Sequence, residues 1–499
     1  MWDGLRFGMG SGIALLVAAP IWVGLCGLGL AGPAAAIATG VICAVLVVLI
    51  APRLPVVTAK PIVVFAVAAA TLAGAFMLIR IAPFMADPVR QDASFVTDGF
   101  FEQHNCLTAY VRAAEVDARG EPNLYDIVHY FGDHDDDPRA QISVFAVDPF
   151  EYPPTFVAPV RAVIAITDDF ATIRALWFSV EALLVAAGLV ALARWIGGRE
   201  GLVVGAWSPL LLGAVPVVAT LQVGNFQVAV YALAIFALIA FDRGRHALGG
   251  VLLAIAILSK LFPGVFVIVL IARRQWRALA WTVGSAIVLS LVAVAVVGIQ
   301  PFHAFVTYQL PRMADGSAFP WLADLPPAVA VNHSIFGIIY KLHDLGVAGM
   351  TPGVAGAVAW VYTLALLAYV WVSARRPRPD RFAEALWWLV LLQLGALRSP
   401  FCPDVFALII PSWLAVLLAL QARLILRIVL GLLWVGFAAA IIELGVPTEM
   451  SDGMRFALTG AAQLGGFFVV GLAMRRAYQA TVPSSSRTND ATTSASRTG

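Results

Sequence analysis

From residue 11 to residue 474 the chain is a succession of apolar runs, most near the roughly 20 residues that a helix needs to cross a bilayer. The runs fall at 11–30, 33–51, 61–84, 172–193, 201–219, 226–241, 246–259, 261–272, 278–299, 353–373, 382–397, 404–420, 424–445 and 455–474. Composition agrees: 61% of residues are hydrophobic, 12% are charged, and mean hydropathy is +0.88. No soluble domain of ordinary makeup is so apolar. The fold class is therefore an all-α integral membrane protein, a polytopic helical bundle of about 13–14 membrane segments. The net charge of +2, with basic residues scattered over short loops, argues against a nucleic-acid partner. The first run is long and leads almost directly into a second, so it reads as an uncleaved helix and not as a signal peptide. The pair 246–259 and 261–272 is too short for two spans. It reads as a broken pair around Lys260 and Pro263, a device tolerated where it lines a cavity.

Orientation follows from Lys and Arg in the short loops. Arg53 and Lys60, Arg194 and Arg199, Arg243 and Arg245, Arg273 to Arg277, Arg375 to Arg378, and Arg475 with Arg476 all fall on one side if the spans alternate. That side is expected to be cytoplasmic, with both termini. The opposite face carries two long segments, 86–171 and 300–352, too long to be simple connectors. The stretches Cys106–Val116 and Ile335–Leu342 within them are expected to form short amphipathic helices at the interface. The chain divides into accessory helices (1–60), a membrane core with its outer loops (61–410), C-terminal helices (411–476) and a Ser/Thr-rich cytoplasmic tail (477–499) expected to be disordered.

Polar residues inside apolar runs mark a site. A lysine near the hydrocarbon core costs roughly 2.5–3.5 kcal/mol on insertion scales, so Lys260 needs an anionic partner or a wet cavity. Gln222 and Asn225, some thirty-five residues upstream, pose the same demand more mildly. No Gly-rich phosphate loop, dinucleotide fingerprint or nucleophile elbow occurs. The run Asp133-His134-Asp135-Asp136-Asp137 lacks the Gly and distal Glu of a calcium loop and reads as a solvated acidic segment. No metal or cofactor is expected.

The order of several short motifs carries a resemblance. Gln222-Val223-Gly224-Asn225, then Arg243-Gly244-Arg245, then Gly249-Gly250-Val251-Leu252-Leu253, then Lys260-Leu261-Phe262-Pro263 resembles the family 87 glycosyltransferases. These are polytopic GT-C-type enzymes using polyprenyl-phosphate sugars, mannose or arabinofuranose in known members. Gly120 to Asp126, Glu151-Tyr152-Pro153-Pro154-Thr155-Phe156, Asn332-His333-Ser334 and Ser399-Pro400 fit the same pattern, so the resemblance spans roughly residues 90–410. It implies transfer of a sugar, mannose before arabinofuranose, from a polyprenyl-phosphate donor to a hydroxyl of an envelope glycan or glycolipid, on the outer face of the cytoplasmic membrane. The chain departs from the pattern at Cys106, where family members usually carry an Asp ahead of the aromatic position occupied here by Tyr110.

Such a transfer needs a base for the acceptor hydroxyl and cations or donors for the departing phosphate. The carboxylate candidates are Asp98, then Glu102, then Asp92. Lys260, Arg398 and His333 are the candidates for phosphate. Gln222, Asn225 and Asn332 are candidate sugar or acceptor contacts. Tyr152 and Trp321 are candidate stacking faces, and Tyr152-Pro153-Pro154 also reads as an architectural turn. Cys106 and Cys402, both on the expected oxidising face, are a candidate disulfide. The competing reading is a multi-span transporter or flippase of lipid-linked sugar, which would show repeated halves with broken helices in corresponding places. A non-catalytic assembly protein would leave Lys260 unexplained.

Overall fold

The computed structural model describes residues 2–50, 60–94, 102–131, 140–319, 322, 326–442 and 452–479. Asp98, the acidic run 133–137, Trp321 and the tail from residue 480 lie outside these. Among the described residues, regular structure is helical apart from one hairpin, Gln141–Ile142 paired with Phe145–Ala146.

Seven helices among the described residues are long and apolar enough to cross a membrane: Gly32–Ile50, Pro61–Ala86, Phe170–Ile196, Trp276–Val297, Pro352–Ala374, Leu424–Ile441 and Gly453–Tyr478. A bent pair, Gly198–Leu212 with Val215–Gln222 at 50°, makes an eighth. The remaining apolar runs form shorter helices, among them Gln227–Asp242, His246–Ser259, Phe262–Ala272 and Asp404–Ala419. The physical reason is position. Gln227–Asp242 and Arg381–Ala396 are buried along most of their length, so other helices, not lipid, surround them. Several of the long helices instead expose apolar side chains, such as Ile37 and Val41, Phe65 and Phe76, Ile287 and Leu291, Val361 and Leu364, or Ile425 and Leu432. Exposed apolar faces on such helices are surfaces for acyl chains. Hydrophobicity alone does not distinguish a buried core helix from a span, which is why the count expected from sequence is higher.

Local chemistry sets the helix ends. Asp169 caps Phe170–Ile196 by accepting from the Ala171 and Thr172 amides at 3.3 and 3.1 Å. Asp380 caps Arg381–Ala396 through the Ala383 amide at 2.7 Å, and Ser334 caps Ile335–Asp344 through Gly337 at 2.9 Å. The expected break at Lys260 is present. His246–Ser259 ends, Lys260 is extended (φ −147°, ψ 128°), and helix resumes at Val265–Ala272 after a turn through Pro263.

The arginine-rich loops meet at one end of the bundle. Arg273 pairs with Glu384 at 2.6 Å, Arg381 with Asp242 at 3.5 Å, and Arg476 with Asp380 at 3.4 Å. The described parts of the two long segments gather at the other end. Leu107–Ala118 forms there as expected, but Leu107 through Ala114 and Val116 are all buried, so this helix lies within protein and not on a membrane surface. The hairpin is fixed to the bundle by Arg174, whose guanidinium lies 4.2 Å from the Phe84 ring centroid and 4.9 Å from that of Phe145.

Candidate active site

At the end away from the arginine cluster lies a mostly apolar cavity of about 900 Å³. The turn after Val215–Gln222 builds one wall. Gly224 takes φ +66°, and Asn225 closes the turn with its amide on the Thr220 carbonyl at 3.3 Å. The Asn225 side chain then points at three partners. Its Oδ1 accepts from Lys260 Nζ at 2.7 Å and from the Gln227 amide at 3.1 Å, and its Nδ2 donates to the Tyr152 hydroxyl at 3.0 Å. The Tyr152 segment is anchored in turn by Thr155, whose hydroxyl donates to the Leu258 carbonyl at 2.8 Å, just before the helix break.

Lys260 Nζ sits 5.1 Å from the ring centroids of both Tyr152 and Phe406. Its hydrogen bond goes to the neutral amide of Asn225, so its charge is available to an anion entering the cavity. Arg398 lies on the same wall. Its Nε donates to Thr363 Oγ1 at 2.5 Å, and the guanidinium lies 5.5 Å from the Phe336 and Trp360 ring centroids. Neither cation has a carboxylate partner within 4.0 Å among the described residues.

Other expected residues stand back from the cavity. Asn332 is fully buried. It donates to the Pro400 carbonyl at 2.9 Å and accepts from the Ser334 and Cys402 amides at 3.0 and 3.1 Å, so it shapes the 399–403 loop. His333 is buried behind that loop, its amide on the Cys402 carbonyl at 2.9 Å, and it does not line the cavity. Burial, with Lys341 nearby, holds its imidazole well below the usual histidine range. Gln222 is fully buried, and its carbonyl accepts from Asn105 at 3.5 Å. Glu102 accepts from Ser94 Oγ at 3.3 Å and does not line the cavity. Asp92 is exposed and pairs with Arg90 at 3.2 Å. Cys106 and Cys402 both line the cavity, as their expected pairing requires, but both are free thiols and no bridge joins them.

Residues that sequence reasoning passed over complete the wall. Glu151 is largely enclosed and accepts from the Gln309 amide. Burial pushes its carboxyl up to about 8, against the opposing pull of Arg312. It stands inside the Glu151–Phe156 motif, which was the available signal. Gln227, an amide at the start of an apolar helix, was another. His104 and Asp148 gave none. They are 44 positions apart and meet only because strand residue Ala146 bridges His104 and Thr108 accepts the Asp148 amide at 3.1 Å. His104 Nδ1 lies 3.2 Å from Asp148 Oδ1, and Nε2 lies 3.5 Å from Cys106 Sγ. Burial opposes charge on this imidazole, yet Asp148 and Cys106 together raise its proton affinity well above the ordinary histidine value. One ligand atom from each of His104, Cys106 and Asp148 falls within 4.8 Å of the others, close enough for a metal ion to be considered.

An all-α, multi-pass membrane protein with a cation-bearing cavity between broken helices is the architecture in hand. Residues 150–400, half of the chain, match the profile of glycosyltransferase family 87, and the chain belongs to that family. It is a membrane glycosyltransferase. No curated protein and no solved structure matches it. The matched segment contains Tyr152, Asn225, Lys260 and Arg398, whereas His104, Cys106 and Asp148 lie ahead of it.

Proposed function

We propose that the chain is a GT-C-type enzyme that moves a sugar, mannose first and arabinofuranose second, from a polyprenyl-phosphate donor to a hydroxyl of an envelope glycan or glycolipid. The observation that carries this reading is Lys260, a cation at a helix break, hydrogen-bonded to a neutral amide, in the wall of a mostly apolar cavity. A lipid-linked sugar phosphate satisfies that wall: its phosphate meets Lys260 and Arg398, its first isoprene units meet the apolar lining, and its sugar reaches Asn225 and Tyr152. Cationic groups at the departing phosphate lower the barrier by stabilising the charge that develops there. The cavity faces the outside of the cytoplasmic membrane in this reading, and the arginine cluster and termini face the cytoplasm.

The test is transfer by the purified chain, reconstituted in liposomes, from polyprenyl-phosphate mannose or polyprenyl-phosphate arabinofuranose to a glycolipid acceptor extract. A new glycolipid product, with release of polyprenyl phosphate, is the expected result. Movement of the donor between leaflets without product would replace the reading with that of a flippase.

A further inference from the structure

We propose that Cys106, His104 and Asp148 act as one proton-accepting triad that activates the acceptor hydroxyl in the transfer proposed above. The inference rests on that reading of the reaction. The geometry carries it. The imidazole of His104 touches both partners, with Nδ1 3.2 Å from the Asp148 carboxylate and Nε2 3.5 Å from the Cys106 thiol. A nucleophile or base, an imidazole and an orienting carboxylate in that sequence form a constellation recognised by roles, not by fold. All three residues line the cavity that holds Lys260.

Each member is fixed by backbone. Cys106 donates its amide to the Val223 carbonyl at 2.7 Å, which ties it to the same turn that presents Asn225. His104 bridges to Ala146, and the Asp148 amide donates to Thr108 Oγ1. Among the described residues, the other candidate carboxylates are less well placed to take a proton from an acceptor. Glu102 and Asp92 do not line the cavity, Glu151 is engaged by the Gln309 amide, and Asp404 accepts from the Val405 amide at 2.7 Å. A metal ion is the competing use of these side chains. One ligand atom from each of the three lies within 4.8 Å of the others, so the zinc and chelation measurements below decide between the two uses.

The acceptor O–H bond breaks, and its proton goes to the Sγ–Nε2 pair. The freed oxygen forms the bond to the anomeric carbon of the donor sugar. The bond from that carbon to the phosphate oxygen breaks, and its electron pair leaves with polyprenyl phosphate beside Lys260. Asp148 gains nothing covalent; it is a positioning residue that holds the imidazole in the tautomer and orientation the pair requires.

The experiment uses the full-length chain in detergent or liposomes, with polyprenyl-phosphate mannose or polyprenyl-phosphate arabinofuranose, whichever the wild type accepts, as donor. Transfer and donor binding are measured separately for Cys106→Ala, His104→Gln, Asp148→Asn and Cys106→Asp. The expected result is a loss of at least about a hundredfold in transfer for the first two, with donor affinity within about threefold of wild type. Cys106→Asp, which restores a proton acceptor at the same place, is expected to recover at least a tenth of wild-type transfer. Iodoacetamide at neutral pH adds a readout free of turnover: Asp148→Asn should slow alkylation of Cys106 at least tenfold, which a purely structural role would not do. Wild-type transfer by Cys106→Ala overturns the triad. Stoichiometric bound zinc, with transfer abolished by chelation, overturns it in favour of a metal centre. A wild-type chain inert with both donors overturns the function proposed above, and the triad as its base with it. An active wild type with active triad variants overturns the triad alone.

Discussion

Lys260 shows what one residue in an apolar run discloses and what it conceals. Its charge inside the hydrophobic pattern already demanded a cavity, and the cavity is present. Its placement beside Asn225 was implied by two motifs read together. The opposite outcome at Asn332 has a physical cause: a buried amide serves backbone groups as readily as a ligand, and the choice depends on turn geometry that residue identity does not encode. Charge-assisted contacts to phosphate are worth roughly 1.5–3 kcal/mol each, about 10- to 150-fold in affinity. Lys260→Met is therefore expected to weaken binding of polyprenyl phosphate by that factor, measured by titration calorimetry, and to reduce transfer at least as much; wild-type affinity in the variant would make Lys260 an interfacial anchor. Glu151 gives a pH signature. Its folded-state carboxyl, pushed up to about 8 chiefly by burial, holds a proton that the unfolded chain has already released above the ordinary carboxylate range. Stability from this group should thus be full below about pH 4.5 and fall as pH rises to about 8. Glu151→Gln should flatten that slope in thermal unfolding scans between about pH 5 and pH 8, and an unchanged slope would assign the pH dependence elsewhere.

At the scale of elements, helix existence and the break at Lys260 were legible because proline, polar punctuation and apolar length are local signals. Which helices face lipid was not legible, because Gln227–Asp242 and Leu424–Ile442 are almost equally apolar while the first is enclosed by protein and the second exposes Ile425 and Leu432. The burial of Leu107–Ala118 escaped for the same reason: an amphipathic pattern names a face, not its partner. The turn that carries the site can be tested directly. Gly224 sits at φ +66°, and a Cβ there would lie 2.9 Å from Asn105 Oδ1. Gly224→Ala combines left-handed strain with that contact, a cost of about 1–3 kcal/mol. It should displace Asn225 and lower both the unfolding temperature and donor affinity. Gly431→Ala is the control: it lies in the helix Leu424–Ile442 with nothing within 4 Å of its Cβ position, and should be neutral or stabilising by up to about 1 kcal/mol. Equal effects of the two substitutions would remove the special role of the turn.

The whole molecule is polarised, and that polarity ties the sequence to the proposed chemistry. Basic loops separated by long stretches of chain converge through Arg273–Glu384, Arg381–Asp242 and Arg476–Asp380, while described residues of the two long segments help to line the cavity at the other end. The sequence carried this division because charge in short loops is set by membrane insertion, independently of tertiary packing. It did not carry the meeting of His104 with Asp148, which depends on how a long extramembrane segment folds back on itself. If basic loops stay in the cytoplasm, the cavity opens outward, where a lipid-borne donor is the accessible form of activated sugar. Single cysteines should report this in intact cells, in a chain lacking the four native ones. Leu345→Cys, replacing a side chain 66% exposed in the 300–352 segment, is expected to react with a membrane-impermeant maleimide. Arg243→Cys, in an exposed turn of the basic end, is expected to react only after the membrane is permeabilised. The reverse pattern would turn the cavity toward the cytoplasm, where nucleotide sugars are available, and would remove the reason for a polyprenyl-phosphate donor.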